Sequence, residues 1–448
     1  MASSIWRTPS LKPCPAASVF GQRRTATCTS RTYNQTNSFN RKIAMRRPSD
    51  VFLLYAARAA RGFGDGFAII ILPAYLSELG FGPFQIGIVA SAALLGTAAV
   101  TLAIGFLAPG KDLRNLLLIG AFATVATGLA FQASEQFAFI LIIAFVGTMN
   151  PSSGDIGLFV PLEHAMLARE APDHNRTRIF ANYSLIGGLS TAAGALAAAA
   201  PTALVSVGVS DIDAFKAMFY FYAALGLVAA EIYRYLPDAQ PHEVASRPVA
   251  LGPSKRIVYK LAALFSLDAF AGGFAVQSLV ALWLFERFEL SLAAASLFFF
   301  WSNVLSAFSY PVAARLAKRF GLVNTMVFTH IPSSLCLIVA AFPTNLTVVL
   351  ALLLVRSALS QMDVPTRTSY VMAVVTAPER PAAASVTAVP RSLASSIGPA
   401  LAGALLTSSF SGLPLVVCGV LKIVYDLSLL FSFRHTKPPE EQKAVELR

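Results

Sequence analysis

Three charged side chains lie far inside long apolar stretches of this chain, and their types are those that bind protons or anions. Asp65, Asp268 and Arg356 each interrupt a run of mostly apolar residues. A carboxyl group in apolar surroundings can exchange a proton near neutral pH, because burial disfavours its charged form. A guanidinium group binds carboxylates and phosphates with two parallel hydrogen bonds. These residues are therefore candidates for binding a proton or a small solute.

The apolar stretches that contain these residues have the length of membrane-spanning helices. Hydrophobic residues make up 56% of the chain and charged residues only 13%, against about 45–50% and 25% in soluble domains. About 20 apolar residues in a helix cross a bilayer, since a helix satisfies its own backbone in lipid. The sequence predicts an all-α integral membrane protein with twelve spans, and it leaves no room for a soluble catalytic domain. The predicted spans are 51–76, 84–108, 115–133, 136–160, 178–200, 214–236, 258–285, 290–314, 322–342, 345–372, 382–408 and 412–433.

The charges between the spans predict an orientation. Alternate connections carry basic residues such as Arg114 and Arg319, and the opposite connections carry acidic residues such as Glu135 and Asp211. Because cytoplasmic loops are enriched in Lys and Arg, the N-terminus is predicted to be cytoplasmic. The basic residues are dispersed over the loops and form no patch with interleaved aromatic residues, so we expect no nucleic-acid partner.

The two halves of the chain repeat each other. "LAPGKDLRN" at 107–115 matches "LAKRFGLVN" at 316–324, and "GFA" at 66–68 recurs at 273–275. Pro161 and Pro365 have nearly the same separation as these matches. A constant offset indicates duplication, and parallel six-helix repeats occur in secondary transporters. The predicted parts are an N-terminal tail at 1–50, a six-helix half at 51–236, a cytoplasmic linker at 237–257, a second half at 258–433 and a tail at 434–448.

This layout resembles the major facilitator superfamily over about residues 50–435. Besides the six-plus-six arrangement and the basic linker, short basic loops follow spans 2 and 8, where that family has its G-x-L-A-D-R-x-G-R-[RK] signature. The signature Asp is absent, since Pro109 and Lys318 occupy its two positions. The resemblance marks loop and gate candidates in both copies. They are Gly105 and Arg114 in the first loop, and Arg319 and Gly321 in the second.

The resemblance also implies that spans 1, 4, 7 and 10 line a central cavity. Counted at about 1.5 Å per residue, Asp65 in span 1, Asp268 in span 7 and Arg356 in span 10 lie near the middle of the membrane. Each can instead form an ion pair that holds two helices together. Further candidates for the site are Arg61, which lies one helical turn from Asp65 and could pair with it, Asn150 and Gln277.

Other charges are expected to have structural or gating roles. Asp155 and Asp363 are predicted near the cytoplasmic ends of spans 4 and 10, where they cap helices or form an inner gate with loop arginines. Glu163 lies near the inner end of span 4. Lys422 and Asp426 are one turn apart in span 12 and are predicted to pair with each other.

The sequence indicates no cofactor and no metal. The near match to a phosphate-binding loop at 105–111 has Asp112 where Ser or Thr would hold magnesium, and it follows an apolar helix and not a strand. The cysteines and histidines have no metal-ligand spacing. We therefore expect no enzymatic activity.

These residues predict a secondary active transporter that moves a small solute by alternating access, with proton-coupled export as the first hypothesis. Uptake of an organic or inorganic anion is the alternative within transport, motivated by Arg61, Arg356 and Arg391. A receptor or scaffold that moves nothing is the alternative of another class. The expected partners are the solute, protons and membrane lipid, and we expect a monomer.

The first fifty residues leave the membrane undecided. They are basic and contain no acidic residue before Asp50, which is typical of a mitochondrial or plastid transit peptide. Pro9, Pro13 and Pro15 would break an amphipathic helix, so a disordered basic tail is the alternative. The protein is therefore expected in the plasma membrane or in an organelle membrane.

Overall fold

A computed structural model of the protein describes residues 49–107, 111–152, 157–170, 176–237 and 251–434, and the regular secondary structure of this part is helical. Asp155, most of the predicted linker and both predicted tails lie outside the described residues, so their expected roles stay predictions. Sixteen α-helices are present in the described ranges. They are α1 Asp50–Glu78, α2 Pro83–Leu107, α3 Leu113–Phe131, α4 Phe137–Val146, α5 Phe159–Glu170, α6 Arg176–Ala197, α7 Ala200–Ser206, α8 Asp211–Arg234, α9 Lys255–Gly273, α10 Gln277–Phe288, α11 Leu292–Phe320, α12 Leu322–Ala340, α13 Leu346–Ser360, α14 Asp363–Val374, α15 Arg380–Leu406 and α16 Leu413–Phe433.

The helices confirm the twelve-span architecture. Ten helical stretches of the described chain are long and apolar enough to cross a membrane, and Phe137–Val146 is a shorter apolar helix. The more polar α15 completes the set of twelve. Spans 4, 7 and 10 are each built from two helices, namely α4 with α5, α9 with α10, and α13 with α14.

The predicted end of span 4 at residue 160 is wrong. A second helix of this span covers Phe159–Glu170, and the first helix stops at Val146. Gly147 and Pro151 occur where it stops, and both residue types interrupt helices. Residues 161–170 include four charged or histidine side chains, and for this reason apolarity alone did not reveal the second half of the span.

Three of the four spans expected to line the cavity are interrupted. The described breaks lie around residues 147–152 in span 4, 274–276 in span 7 and 361–362 in span 10. Irregular backbone is tolerated at membrane depth only where it is buried in protein or lines a water-filled cavity. The breaks place Asn150, Gln277 and Asp363 at the interior of the bundle.

The two halves pack together at one end of the bundle and separately at the other. One apolar cluster joins both halves, from Phe67–Leu76 on span 1 to Phe274–Leu284 on span 7. A second cluster contains only N-terminal residues and a third only C-terminal residues. These two clusters lie at the end that carries Arg114 and Arg319, which we call the basic end. The bundle is therefore closed at the opposite end.

Glu379 fixes the connection between spans 10 and 11 to the start of span 7. Its carboxylate accepts hydrogen bonds from the Gly252 amide, from the Ser254 hydroxyl at 2.6 Å and from the Thr376 hydroxyl at 2.6 Å. These hydrogen bonds lower the pKa of Glu379 to about 2, because they stabilise the carboxylate form. The carboxylate therefore holds this connection throughout the physiological pH range.

Glycine residues allow spans 1 and 5 to cross at backbone contact, beside Asp65. A Cβ atom on Gly66 would lie 2.1 Å from the Thr191 carbonyl oxygen, and one on Gly194 would lie 2.0 Å from the Phe63 carbonyl oxygen. Real Cβ atoms do not approach backbone so closely, so a side chain at either position would push the two spans apart. This crossing fixes the position of Asp65 inside the N-terminal half.

We predict that Gly66→Ala destabilises the protein by about 1–3 kcal/mol or more, the usual effect of overpacking. Gly105→Ala is the matched control, because a Cβ there meets no atom within 4 Å and Ala favours a helix over Gly by roughly 0.5–1 kcal/mol. Thermal unfolding in detergent checks both variants. Equal midpoints for the two would contradict the close crossing.

Candidate functional site

A cavity of about 260 Å³ lies mainly within the C-terminal half. Spans 7 to 12 supply most of its lining, and Leu94 and Ser152 contribute from the N-terminal half. Four cationic side chains and two carboxylates face it, together with His330 and several hydroxyl and amide groups. The charged lining residues are Arg356, Arg367, Arg391, Lys422, Asp268 and Asp363.

Asp268 is the centre of an ion-pair network in the wall of this cavity. One carboxylate oxygen lies 2.7 Å from the Lys422 ammonium nitrogen, and the other lies 2.9 Å from Arg367 Nη1. Arg367 also contacts Asp363 at 3.3 Å, one helical turn earlier. Asp268 thus joins spans 7, 10 and 12, and both of its oxygens have cationic partners. Asp363 lies at the break of span 10 and lines the cavity, deeper than the gate position expected for it.

The network extends to His330 on span 9. His330 Nδ1 lies 3.0 Å from a carboxylate oxygen of Asp426, and His330 Nε2 lies 3.3 Å from the Lys422 nitrogen. The predicted pairing of Lys422 with Asp426 is therefore wrong. Although the two residues are one turn apart, each has a better partner on a neighbouring span.

Arg356 and Arg391 face the cavity, and neither belongs to an ion pair within the described chain. Within the described chain, no ion pair or side-chain hydrogen bond joins either guanidinium to another residue, and Arg391 Nε is buried without a partner. Both residues are half-buried. Of the arginines that the sequence associated with an anion, these two are the ones that reach the cavity unpaired.

Arg61 is engaged elsewhere. It forms a buried ion pair with Glu163, whose side chain is fully enclosed, and its Nε donates to the Tyr233 hydroxyl at 3.0 Å. Glu163 also accepts hydrogen bonds from Tyr183 and Tyr233. The possible pairing of Arg61 with Asp65 is not formed, and Arg61 is a poor candidate for binding a solute.

The ion pairs of the two halves occupy equivalent positions with opposite charges. Arg61 and Asp268 are separated by the same 207 residues as the repeated "GFA", and Glu163 and Arg367 by the same 204 residues as Pro161 and Pro365. Each pair links the first and fourth spans of its half. A comparison of charged positions at these two offsets would have indicated both ion pairs. A search for identical residues does not find them, because each position has the opposite charge in the other half.

Asp65 has a different environment. It lines two small pockets, of about 40 and 50 Å³, with Arg58 and Asn150. No hydrogen bond or ion pair joins Asp65 to another residue of the described chain. The second pocket shares Ser152, Tyr310 and Gln361 with the main cavity, so the carboxyl group lies next to it.

The polar candidates have partners. The Asn150 side chain accepts a hydrogen bond from the Ser152 amide at 2.9 Å. Gln277 donates to Asn303 at 3.2 Å, while its own carbonyl oxygen is buried without a partner and the residue lines the main cavity. Gln277 therefore retains a free acceptor in the cavity wall.

The loop candidates lie at the basic end, away from the cavity. Arg114 donates to the Arg234 carbonyl oxygen at 2.9 Å, which ties span 3 to span 6. Arg319 is exposed and lies over the Phe320 ring. Gly321 has a φ of 87°, a backbone conformation that favours glycine, and it links spans 8 and 9. Gly105 is exposed near the end of span 2.

Comparison with known proteins identifies the family to which the chain belongs. A family model described as Major Facilitator Superfamily matches residues 54–284 and 261–448, which is nearly the whole chain after the N-terminal tail. The chain belongs to the major facilitator superfamily. This MFS protein is therefore a multi-pass membrane protein and a transporter of some solute, as its sequence predicted.

Similar proteins agree with this membership. The MFS protein is 25% identical over 421 residues to an uncharacterized membrane protein, YJR124C, of Saccharomyces cerevisiae, covering 86% of this chain and 94% of the other. Its fold is similar to the nucleoside transporter NupG, with a TM-score of 0.67, 13% identity and coverage of 87% and 100%. The fold is also similar to a bacterial homolog of the human lysosomal transporter Spinster, solved inward-facing and unoccupied. The TM-score is 0.64 and the identity is 12%, with coverage of 86% of this chain and 96% of the other.

We predict that Arg61→Glu destabilises the protein by about 3–5 kcal/mol, because it leaves the buried Glu163 facing a second carboxylate. The double variant Arg61→Glu with Glu163→Arg should recover part of this loss. Arg234→Glu is the control, because Arg234 forms an exposed ion pair with Glu231. This change should alter the free energy of unfolding by less than about 1 kcal/mol. Thermal unfolding in detergent measures all three variants.

Proposed function

We propose that this MFS protein moves a small anionic solute across its membrane by alternating access, with protons as the coupling ion. The observation that carries the proposal is the pair of guanidinium groups, Arg356 and Arg391, that face the main cavity without a carboxylate partner. The charged groups of the two ion-pair networks each have an opposite charge beside them instead, namely Arg61, Glu163, Asp268, Asp363, Arg367 and Lys422.

The physical reason is the cost of an uncompensated charge at membrane depth. A cationic side chain there normally pairs with a carboxylate or faces water. Two such groups in one cavity give a positive potential that an anion would neutralise, and a guanidinium binds carboxylate, sulfate or phosphate groups through charge-assisted hydrogen bonds. The cavity is slightly smaller than the roughly 300–1,000 Å³ of typical ligand pockets, which favours a small solute.

The arrangement of the apolar clusters supports alternating access. The halves share one core at the closed end and have separate cores at the basic end, so a solute would reach the cavity from the basic end. If the basic end is cytoplasmic, as the loop charges predict, this conformation is inward-facing. The opposite conformation would require the shared core to separate.

Proton-coupled export, the first hypothesis from the sequence, is the second candidate here. Asp65 supports it, because an unpaired carboxyl group at membrane depth can bind either a proton or a cationic group of a solute. If a proton and a cationic solute compete for this carboxylate, the protein exchanges one for the other across the membrane. An anion would instead be repelled by the Asp65 carboxylate, so the charge of the solute separates the two candidates.

We predict that small anions stabilise the purified protein against thermal unfolding and that Arg356→Gln and Arg391→Gln lose this effect. Sulfate, succinate and benzoate are the probes, and choline is the cationic comparison. An anion at 100 times its Kd should stabilise by about 2.7 kcal/mol, and removing one charged contact should weaken binding by about 1.5–3 kcal/mol. Arg315→Gln, at an exposed position near the end of span 8, is the control.

Stabilisation by choline alone would contradict the anionic solute. Reconstitution into vesicles then separates transport from binding: anion binding without anion flux would favour a receptor over a transporter.

We predict that Asp65→Asn abolishes proton movement if protons exchange with a cationic solute, and leaves anion flux within about threefold of wild type if the solute is an anion coupled elsewhere. The pH inside proteoliposomes, measured after addition of each probe, gives the readout. Asp211→Asn, at an exposed helix start, is the matched control. Loss of anion-driven proton flux in Asp65→Asn alone would assign the coupling to Asp65.

A further inference from the structure

His330 is a buried titratable group that the proposed solute site does not use. Only 2% of its surface is exposed, and it is in the wall of the main cavity next to Lys422. Span 9 is not one of the four spans expected to line the cavity, so this placement needs a reason. Histidine is the side chain whose charge changes most readily near neutral pH.

The two neighbours of the His330 ring determine which of its nitrogen atoms carries the hydrogen. Asp426 as a carboxylate can only accept, so His330 Nδ1, at 3.0 Å, carries the hydrogen and donates it. Lys422 as an ammonium can only donate, so Nε2, at 3.3 Å, is the acceptor. The imidazole is therefore neutral in this conformation, with its free lone pair directed at a cation.

A second proton cannot enter without a rearrangement. A hydrogen on Nε2 would face the Lys422 ammonium, and two donors cannot share this contact. Asp268 Oδ1 lies only 4.0 Å from Nε2 and currently accepts from Lys422 at 2.7 Å. An imidazolium can take over this oxygen, and Lys422, whose side chain is already 14% exposed, can turn into the cavity.

We propose that His330 is the proton-coupling residue and that its protonation displaces Lys422 from Asp268 into the cavity as a third cation for the anionic solute. The proton binds to Nε2, the imidazolium pairs with Asp268 and Asp426, and no covalent bond other than N–H forms. A bound anion favours the displaced lysine, and the displaced lysine favours the proton. Proton and anion therefore bind together and travel in the same direction.

The charges on all packed elements are compatible with this exchange. Span 12 supplies Asp426, Lys422 and the Tyr425 ring, which meets the His330 ring edge-on at 6.1 Å between centroids. Span 7 supplies Asp268, which Arg367 of span 10 continues to hold at 2.9 Å. Arg356 of span 10 and Arg391 of span 11 line the same cavity. Asp268 therefore keeps two cationic partners before and after the exchange.

The inference rests on the anionic solute proposed above, and the first measurement tests both with anions whose charge is constant between pH 5 and 8. The dissociation constants of sulfate and benzenesulfonate for the full-length protein in detergent should fall about tenfold from pH 8 to pH 5.5. This corresponds to a bound anion that raises the affinity for the proton about tenfold. His330→Asn, whose amide can still donate to Asp426, and Lys422→Gln should show less than about a twofold change. Arg315→Gln, at an exposed position, should behave as wild type.

A second measurement needs no anion. In protein labelled with ¹³C and ¹⁵N at histidine, the signal missing from His330→Asn identifies His330. It should show the Nδ1–H form at pH 8 and become doubly protonated as the pH falls to 5. In Lys422→Gln the Nε2 signal of His330 should differ from wild type already at pH 8, because the ammonium group beside this nitrogen is gone.

The outcomes separate the two proposals. If neither anion binds at any pH while His330 titrates as expected and responds to Lys422→Gln, the anionic solute is overturned and the exchange at His330 is supported. If anions bind but His330→Asn keeps the wild-type pH dependence, the coupling role of His330 is overturned and the solute class stands. A His330 ring that stays neutral down to pH 5 also overturns the exchange.

Discussion

A charge inside a membrane bundle has to meet an opposite charge, a hydrogen-bond partner or water, and this requirement places the polar residues of this protein. Arg61 and Glu163 form an ion pair, and two tyrosine hydroxyls donate further hydrogen bonds to the Glu163 carboxylate. Asp268 is held from two sides by Lys422 and Arg367. These contacts connect the first and fourth spans of each half, through Arg61 and Glu163 in one half and through Asp268 and Arg367 in the other.

The two halves meet this requirement to different extents. In the N-terminal half the Arg61–Glu163 pair is closed, and Asp65 is left with two small pockets. In the C-terminal half the cations outnumber the carboxylates around one larger cavity. Because the two halves have the same six-span architecture, this asymmetry distinguishes a half with a closed ion pair from a half with a larger, cationic cavity. Both functional proposals follow from this difference.

The sequence was sufficient for the architecture and insufficient for the pairing of charges. Apolar length predicted twelve spans, and the family match confirms the fold that they imply. The position of Asp268 beside a cavity was predicted from the family resemblance together with its depth in span 7. The partners were not, because helix periodicity favours residues one turn apart, as for Lys422 and Asp426, whereas the packed bundle offers closer partners on other spans. His330 had no signal in the sequence, since its neighbours Asp426, Lys422 and Asp268 lie on spans 12 and 7.

The opposite signs of the two repeat-related ion pairs have a consequence for how the halves can change. Replacing span 1 by its repeat copy would put an aspartate against Glu163, and replacing span 4 by its copy would put an arginine against Arg61. Neither exchange keeps a neutral interior, although the folds of the spans match. The smallest unit that can be transplanted between the halves is therefore a pair of spans.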